Sequence, residues 1–291
     1  MDETFPESPN AEQIRYWNER GGSRWLALHD TLSRQMAPLA TLAIERADIG
    51  EGSRVLDVGC GCGDTTFELA RRTGPSGAVT GVDVSLPLLT RALQTTLRAG
   101  LGNVSFTLAD AQTAALPQGA FDVLFSRFGV MFFSDPEAAF SNLLRALRPG
   151  ATLTFLCWRS IQQNPMMLVP AKAVAKLVPL PMPDPFAPGP FAFADGARVK
   201  GILERAGFVD VEVRAEDRPL AVGPGTGLDD TAAFLTQIGP AAMALANAGA
   251  TEDLIEKAIA KVREAIAPYD TPEGVMMPAA MWLVTGRARY E

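Results

Sequence analysis

The stretch Val55-Leu56-Asp57-Val58-Gly59-Cys60-Gly61-Cys62-Gly63 constrains this chain more than any other. An apolar run of strand-forming residues ends in an acid. Alternate glycines then lead into Asp64-Thr65-Thr66-Phe67-Glu68-Leu69-Ala70, which reads as a helix. Such a strand–tight turn–helix unit lets the backbone pass close to a nucleotide-like ligand, because glycine lacks the Cβ that would hold it away. The dinucleotide fingerprint G-x-G-x-x-G does not fit. The sixth place counted from Gly59 is Asp64, and counted from Gly61 it is Thr66. The turn is the tighter G-x-G-x-G, with no cradle for a pyrophosphate.

Further strands repeat the arrangement. Ala78-Val79-Thr80-Gly81-Val82-Asp83 ends in an acid 26 residues after Asp57. A carboxylate at the tip of the second strand of a doubly wound sheet is placed to accept hydrogen bonds from ribose hydroxyls. Val104 to Leu108 runs into Ala109-Asp110-Ala111, Phe121 to Phe125 runs into Ser126-Arg127-Phe128, and Thr152 to Trp158 follows Arg148-Pro149-Gly150. Strands alternating with helices demand a mostly parallel sheet with helices on both faces. Asp57, Asp83, Asp110 and Ser126 then mark one ligand crevice along the strand tips, although an acid at such a place also caps helices and fixes turns.

The hydrophobic-Asp-hydrophobic strand, the G-x-G-x-G turn and the three later acids resemble the class I S-adenosylmethionine (SAM) methyltransferases over about 55–160. Asp135-Pro136-Glu137 opening a helix and Leu144-Arg145-Ala146-Leu147-Arg148-Pro149-Gly150 closing it are similar to the ubiquinone/menaquinone C-methyltransferase group of small-molecule enzymes. Trp17 to Trp25, Ser126 to Phe133 and Pro188 to Phe193 resemble a bacterial subgroup that carries no assigned substrate. The resemblance implies a doubly wound, seven-stranded, mostly parallel α/β sheet with a helical cap. It implies SAM as cofactor and S-adenosyl-L-homocysteine (SAH) as product. Asp57, Gly59, Cys60, Gly61, Asp83, Val84, Asp110, Ala111 and Ser126 become the expected cofactor-binding residues. Asp110 would face the adenine amino group and Ala111 would supply backbone contacts. Trp17, Trp25, Phe128, Met131 and Trp158 become the expected substrate pocket. The chain departs from the group after the fourth strand, where Phe132 and Phe133 stand in place of a frequent histidine.

The remaining sequence supplies a cap. Residues 10–47 read as two helices broken at Gly21-Gly22, with Pro38 kinking the second, and Ile14, Trp17, Trp25, Leu28, Leu32, Met36 and Leu39 at helical spacing. The organisation expected is cap helices over 1–47 and a methyltransferase domain over 48–291, with cap insertions at about 160–194 and 223–277. Helices are expected at 165–180, 195–206, 229–247 and 251–267, and strands at 209–216 and 281–287. The prolines from Pro179 to Pro190 form a stiff loop that cannot enter a sheet. Trp17, Trp25, Met166, Met167, Phe186, Phe191, Phe193, Phe234 and Met243 give the additions an aromatic, apolar content, so a lid over a small hydrophobic or aromatic acceptor is expected.

Composition limits the alternatives. With 291 residues and 47% hydrophobic content the chain builds one large core. No run approaches a membrane span. The start Met1-Asp2-Glu3-Thr4-Phe5 lacks a signal pattern, and three cysteines build no disulfide framework, so a cytoplasmic location is expected. A net charge of −7 without a Lys/Arg-rich run argues against a nucleic-acid partner and for a small molecule. No metal is expected: Ser126 stands where catechol-type enzymes hold magnesium through an acid, and Cys60 and Cys62 read as small residues suited to the turn. His29, the single histidine, is the candidate catalytic base or else a packed side chain, with Asp30, Arg127 and Tyr16 undistinguished as substitutes. Two further readings stay open: a nicotinamide-dependent oxidoreductase, and a SAM-binding protein of this fold with non-methylating chemistry or a binding role.

Overall fold

A computed structural model describes residues 8–181 and 184–289. The first residues and Pro183 of the proline loop lie outside them. Three helices, not two, precede the sheet: α1 (Ala11–Glu19), α2 (Gly21–Ala27) and α3 (His29–Arg46). The glycine pair folds α2 tightly against α1, since a Cβ on Gly22 would stand 2.2 Å from the Trp17 carbonyl oxygen. Pro38 sits inside α3 without ending it.

The sheet core follows as β1 (Arg54–Val58), α4 (Asp64–Thr73), β2 (Ala78–Asp83), α5 (Leu86–Ala99), β3 (Val104–Leu108), β4 (Phe121–Arg127), α6 (Pro136–Ala146) and β5 (Leu147–Trp158). Next come α7 (Pro165–Val174), α8 (Gly196–Ala206), β6 (Val209–Ala221), α9 (Leu228–Leu235), α10 (Gly239–Asn247), α11 (Glu252–Ile266), β7 (Asp270–Thr271) and β8 (Gly274–Arg287). Strand order is β3-β2-β1-β4-β5-β8-β6, and the two-residue β7 pairs with β8 off this path. The pairs from β3 through β5 are parallel, whereas β8 is antiparallel to β5 and β6. The doubly wound sheet is thus observed, with one short extra strand. The order reverses between β1 and β4, which opens a crevice at their carboxyl ends.

Boundaries shift where local chemistry competes. The segment expected as one helix over 229–247 splits into α9 and α10, because Gly239 takes a positive φ of 64° and Pro240 cannot donate a helical hydrogen bond. The helix expected to reach residue 180 ends at Val174. The β6–β8 ribbon runs from Val209–Arg287 to Ala221–Met276, far past the expected strand ends. It carries α9 to α11, and α7 packs against α10 and α11. Side-chain caps start α6 and α8: Asp135 accepts the Ala138 N–H, and Asp195 accepts those of Ala197 and Arg198.

One continuous core joins the sheet, α3 and the later helices. Phe140 stacks on Phe155 and Phe193 at ring separations of 5.7 and 6.3 Å. Phe193, expected in the lid, is therefore a fully buried core residue. Phe186 and Met243 are exposed. Aromatic content alone does not say which way a side chain faces, and Phe193 packs the core while Phe186 and Met243 meet solvent.

Candidate functional site

The glycine turn is shaped by close backbone approaches. Gly59 (φ 68°) lies so near the chain after β4 that a Cβ would meet the Gly129 Cα at 2.6 Å. Gly61 (φ 55°) is different: its Cβ would meet only Leu88 Cδ1, at 3.9 Å, so the turn keeps open space there. Asp57 beneath the turn is fully buried, and its Oδ2 accepts the hydroxyls of Thr65 and Thr66 at 2.7 Å each. Its Oδ1 has no partner among the described residues. Burial pushes the Asp57 carboxyl up to about 6, against the two threonine hydroxyls and the Arg127 charge.

Asp83 stands half-buried at the tip of β2. Its Oδ2 accepts the Gly61 N–H at 2.8 Å and its Oδ1 accepts the Ser85 N–H at 2.8 Å. Burial pushes this carboxyl up, with the Ser85, Gly61 and Val84 backbone groups opposing. Asp83 therefore also ties the second strand to the turn. Neighbouring Val84 gives its carbonyl to the Asn18 side chain at 2.8 Å, fixing α1 to the same edge.

Asp110 is almost fully buried, and its Oδ1 accepts the Gln112 N–H at 3.0 Å. Its Oδ2 accepts the Ser8 hydroxyl at 2.6 Å, a partner 102 residues away. The Ala111 carbonyl accepts from Asn142. Ser126 is completely buried: its hydroxyl donates to the Val58 carbonyl at 2.7 Å and accepts the Gly129 N–H at 3.2 Å. That side chain clamps β1 to the β4 turn, leaving its backbone as the part able to meet a ligand. Cys60 and Cys62 are both buried. A Cβ on Gly81 would meet the Cys60 sulfur at 2.8 Å, so that thiol points into the sheet.

His29 sits between two carboxylates. Its Nε2 lies 3.2 Å from Asp64 Oδ1 and its Nδ1 lies 3.1 Å from Asp30 Oδ1. Ionised carboxylates only accept, so this pairing favours a proton on both ring nitrogens, the imidazolium. The Asp64 hydrogen bond, then that of Cys62, raise its pKa to about 10 against the effect of burial. Both ring nitrogens of His29, the expected catalytic base, are thus turned to carboxylates. Burial raises the Asp64 carboxyl, but His29, Arg127 and Ser33 more than reverse this and hold it below its ordinary value. Arg127 Nη2 is 3.7 Å from Asp64 Oδ2.

Two aromatic groups lie near the turn. Phe128, held at φ 62°, stacks flat on Trp158 with centroids 4.0 Å apart and planes 8° apart. Met131 Sδ accepts the Trp158 N–H at 3.4 Å. Trp17 meets Phe132 and Trp25 edge-on at 5.3 and 6.1 Å. The expected pocket residues therefore fall into two sets, Phe128, Met131 and Trp158 at the ends of β4 and β5, and Trp17 and Trp25 on the N-terminal helices. A cavity of about 370 Å³ lined by residues from Leu26 to Thr31 and by Arg91 opens beside His29. Sequence reasoning missed Ser8, Asn18 and Asp64 as partners at these tips. An acid in the first turn of a helix is an ordinary complement to the helix dipole, so nothing in the sequence set Asp64 apart.

Residues 55–150 match the family described as methyltransferase domain. The nocamycin O-methyltransferase of Saccharothrix syringae is 32% identical over 204 residues, covering 64% of this chain and 72% of that protein. The ubiquinone/menaquinone biosynthesis C-methyltransferase UbiE of Pseudomonas savastanoi pv. phaseolicola is 33% identical over 153 residues, 52% of this chain. The chain spans 60% of the length of that relative. The fold is shared with the YcgJ protein from Bacillus subtilis, with a TM-score of 0.56 at 15% identity, covering 87% of this chain and 98% of that one. The chain belongs to the class I SAM-dependent methyltransferases, among the small-molecule enzymes of that family, and SAM is its cofactor. The nicotinamide reading is set aside. Among the described residues no helix is long and apolar enough to cross a membrane, and no three His, Cys, Asp or Glu side chains gather as a metal site would require.

Proposed function

We propose that this enzyme methylates a small, planar, apolar acceptor without a metal ion. The Phe128–Trp158 stack carries the reading. The two rings stack at the ends of β4 and β5, Trp158 buried and Phe128 half-buried, one residue before the Gly129 that touches the turn. A bulky residue at positive φ persists only where its surroundings hold it, and such strain gathers at ligand sites.

SAM supplies a methyl group made electrophilic by its positive sulfur. For the chain's own part, Asp83 accepts the ribose hydroxyls, Asp110 accepts from the adenine amino group, and Val84 and Ala111 line the base. Gly59, Cys60 and Gly61 let the backbone approach the methionyl tail, and the unpartnered Asp57 Oδ1 accepts from its amino group. The open space at Gly61 supports this fit. Trp17, Trp25, Phe128, Met131 and Trp158 exclude water and align the acceptor, which contributes more to a displacement than acid–base groups do. With His29 held as a cation, the acceptor enters as its own nucleophile, a thiolate or phenolate, and its proton goes to solvent.

The N-terminal helices and the segments 160–194 and 223–277 form the cap in this reading. Hydrogen bonds from Arg34 to the Pro224 carbonyl (3.2 Å) and from the Gly223 N–H to Gln35 Oε1 (3.3 Å) support closure of the N-terminal helices on the segment 223–277. The experiment is a screen of phenols, quinols, thiols and small amines with methyl-labelled SAM, read by product mass. Labelled product from an aromatic or apolar acceptor is expected. Turnover confined to charged, non-aromatic acceptors, or SAM binding with no methylated product, would overturn the proposal.

A further inference from the structure

Arg127 places a loosely paired charge near the turn. Its side chain is 12% exposed, yet its one ion-pair partner among the described residues is Asp64, at the long distance of 3.7 Å. No donor–acceptor pair among those residues includes its guanidinium, which carries five N–H groups in a rigid fork. Asp64 is shared besides, since its other oxygen faces His29 at 3.2 Å. The second carboxylate on His29, Asp30, has an 89% exposed side chain and spends its charge in water. Two cations thus face one sheltered carboxylate. The protein therefore holds this guanidinium loosely and leaves donors of its fork for an anionic ligand.

The opposite deficit lies close by. Asp57 Oδ1 is a buried acceptor without a donor, and the Arg127 charge reaches it, holding that carboxyl lower than burial alone would. An unpartnered acceptor and a loosely paired cationic fork beside one glycine turn complement an amino-acid zwitterion. We propose that Arg127 grips the carboxylate of the methionyl tail of SAM and SAH, while Asp64 and His29 hold its side chain in place. Arg127 is then a cofactor-binding residue, and Asp64 and His29 are positioning residues. The inference rests on the cofactor site described under the proposed function.

Calorimetric titration with SAH and with 5′-methylthioadenosine, which keeps the nucleoside but lacks the amino-acid tail, separates the possibilities. Arg127→Ala should weaken SAH about 10–100-fold, the loss of a charge-assisted pair, and leave methylthioadenosine within about 3-fold. Arg127→Lys keeps the charge without the fork and should fall between wild type and Arg127→Ala. It also serves if Arg127→Ala proves unstable by thermal melt. Unchanged SAH affinity in both variants would overturn the proposal, as would equal losses for both ligands. A wild-type protein that binds neither ligand would overturn the site itself, an outcome that the ratio between variants cannot mimic.

Discussion

Replacing His29 by glutamine tests whether that ring is a structural cation or a base. Both ring nitrogens face carboxylate oxygens, at 3.1 and 3.2 Å, and the pKa stands at about 10 against an ordinary 6.5. A raised folded-state pKa stabilises the fold fully below 6.5, and that stabilisation is lost as pH climbs through about 10. Between those limits the native state holds one proton that the unfolded chain releases, so stability falls by at most ~1.4 kcal/mol per pH unit. The ring is 16% exposed and Asp30 is in water, so we expect about half of the stabilisation that slope would accumulate across the window. His29→Gln should cost about 1.5–3 kcal/mol at pH 6 and much less at pH 9.5. Urea unfolding at pH 6, 8 and 9.5 reads this directly, as midpoints for the two proteins that converge as pH rises. Parallel pH curves would refute the cation. So would a kcat loss of ~10²–10⁴-fold with a vanished inflection near pH 6–7, which would make His29 the base after all.

Gly59→Ala drives a Cβ toward the Gly129 backbone at 2.6 Å and should destabilise the protein by at least ~2 kcal/mol in thermal or urea melts. Gly61→Ala has space and should lose only about 1 kcal/mol, yet weaken SAH roughly 10-fold or more in calorimetry by filling the turn. Turnover should survive excess EDTA; loss restored by magnesium or zinc would contradict the metal-free proposal. Phe128→Ala should raise the KM of the acceptor about 10-fold or more while SAH affinity stays within about 3-fold.

Strand tips were legible because each parallel strand–turn–helix unit returns the chain to the same edge, so Asp57, Asp83 and Asp110 had to share it. Partners were not. Asp110 meets Ser8 across 102 residues and His29 meets Asp64 across 35, distances at which no periodicity operates. Ser126 illustrates the limit: its position at the tip was readable, but its hydroxyl is spent on the Val58 carbonyl. Phe193 shows another, since an aromatic side chain in a segment after the sheet reads alike whether it lines a pocket or fills the core. The β6–β8 ribbon was underestimated because Pro219 and Pro278 interrupt both strand patterns, yet these residues pair opposite each other.

The account stands most directly on the carboxylate at the tip of β2. Calorimetric titration of SAH into wild type and Asp83→Ala, with a thermal melt of each, measures it. Loss of two charge-assisted hydrogen bonds predicts at least ~100-fold weaker SAH binding in a folded variant. Equal affinity in the two proteins would remove Asp83 from the site and contradict the placement of the cofactor along these strand tips.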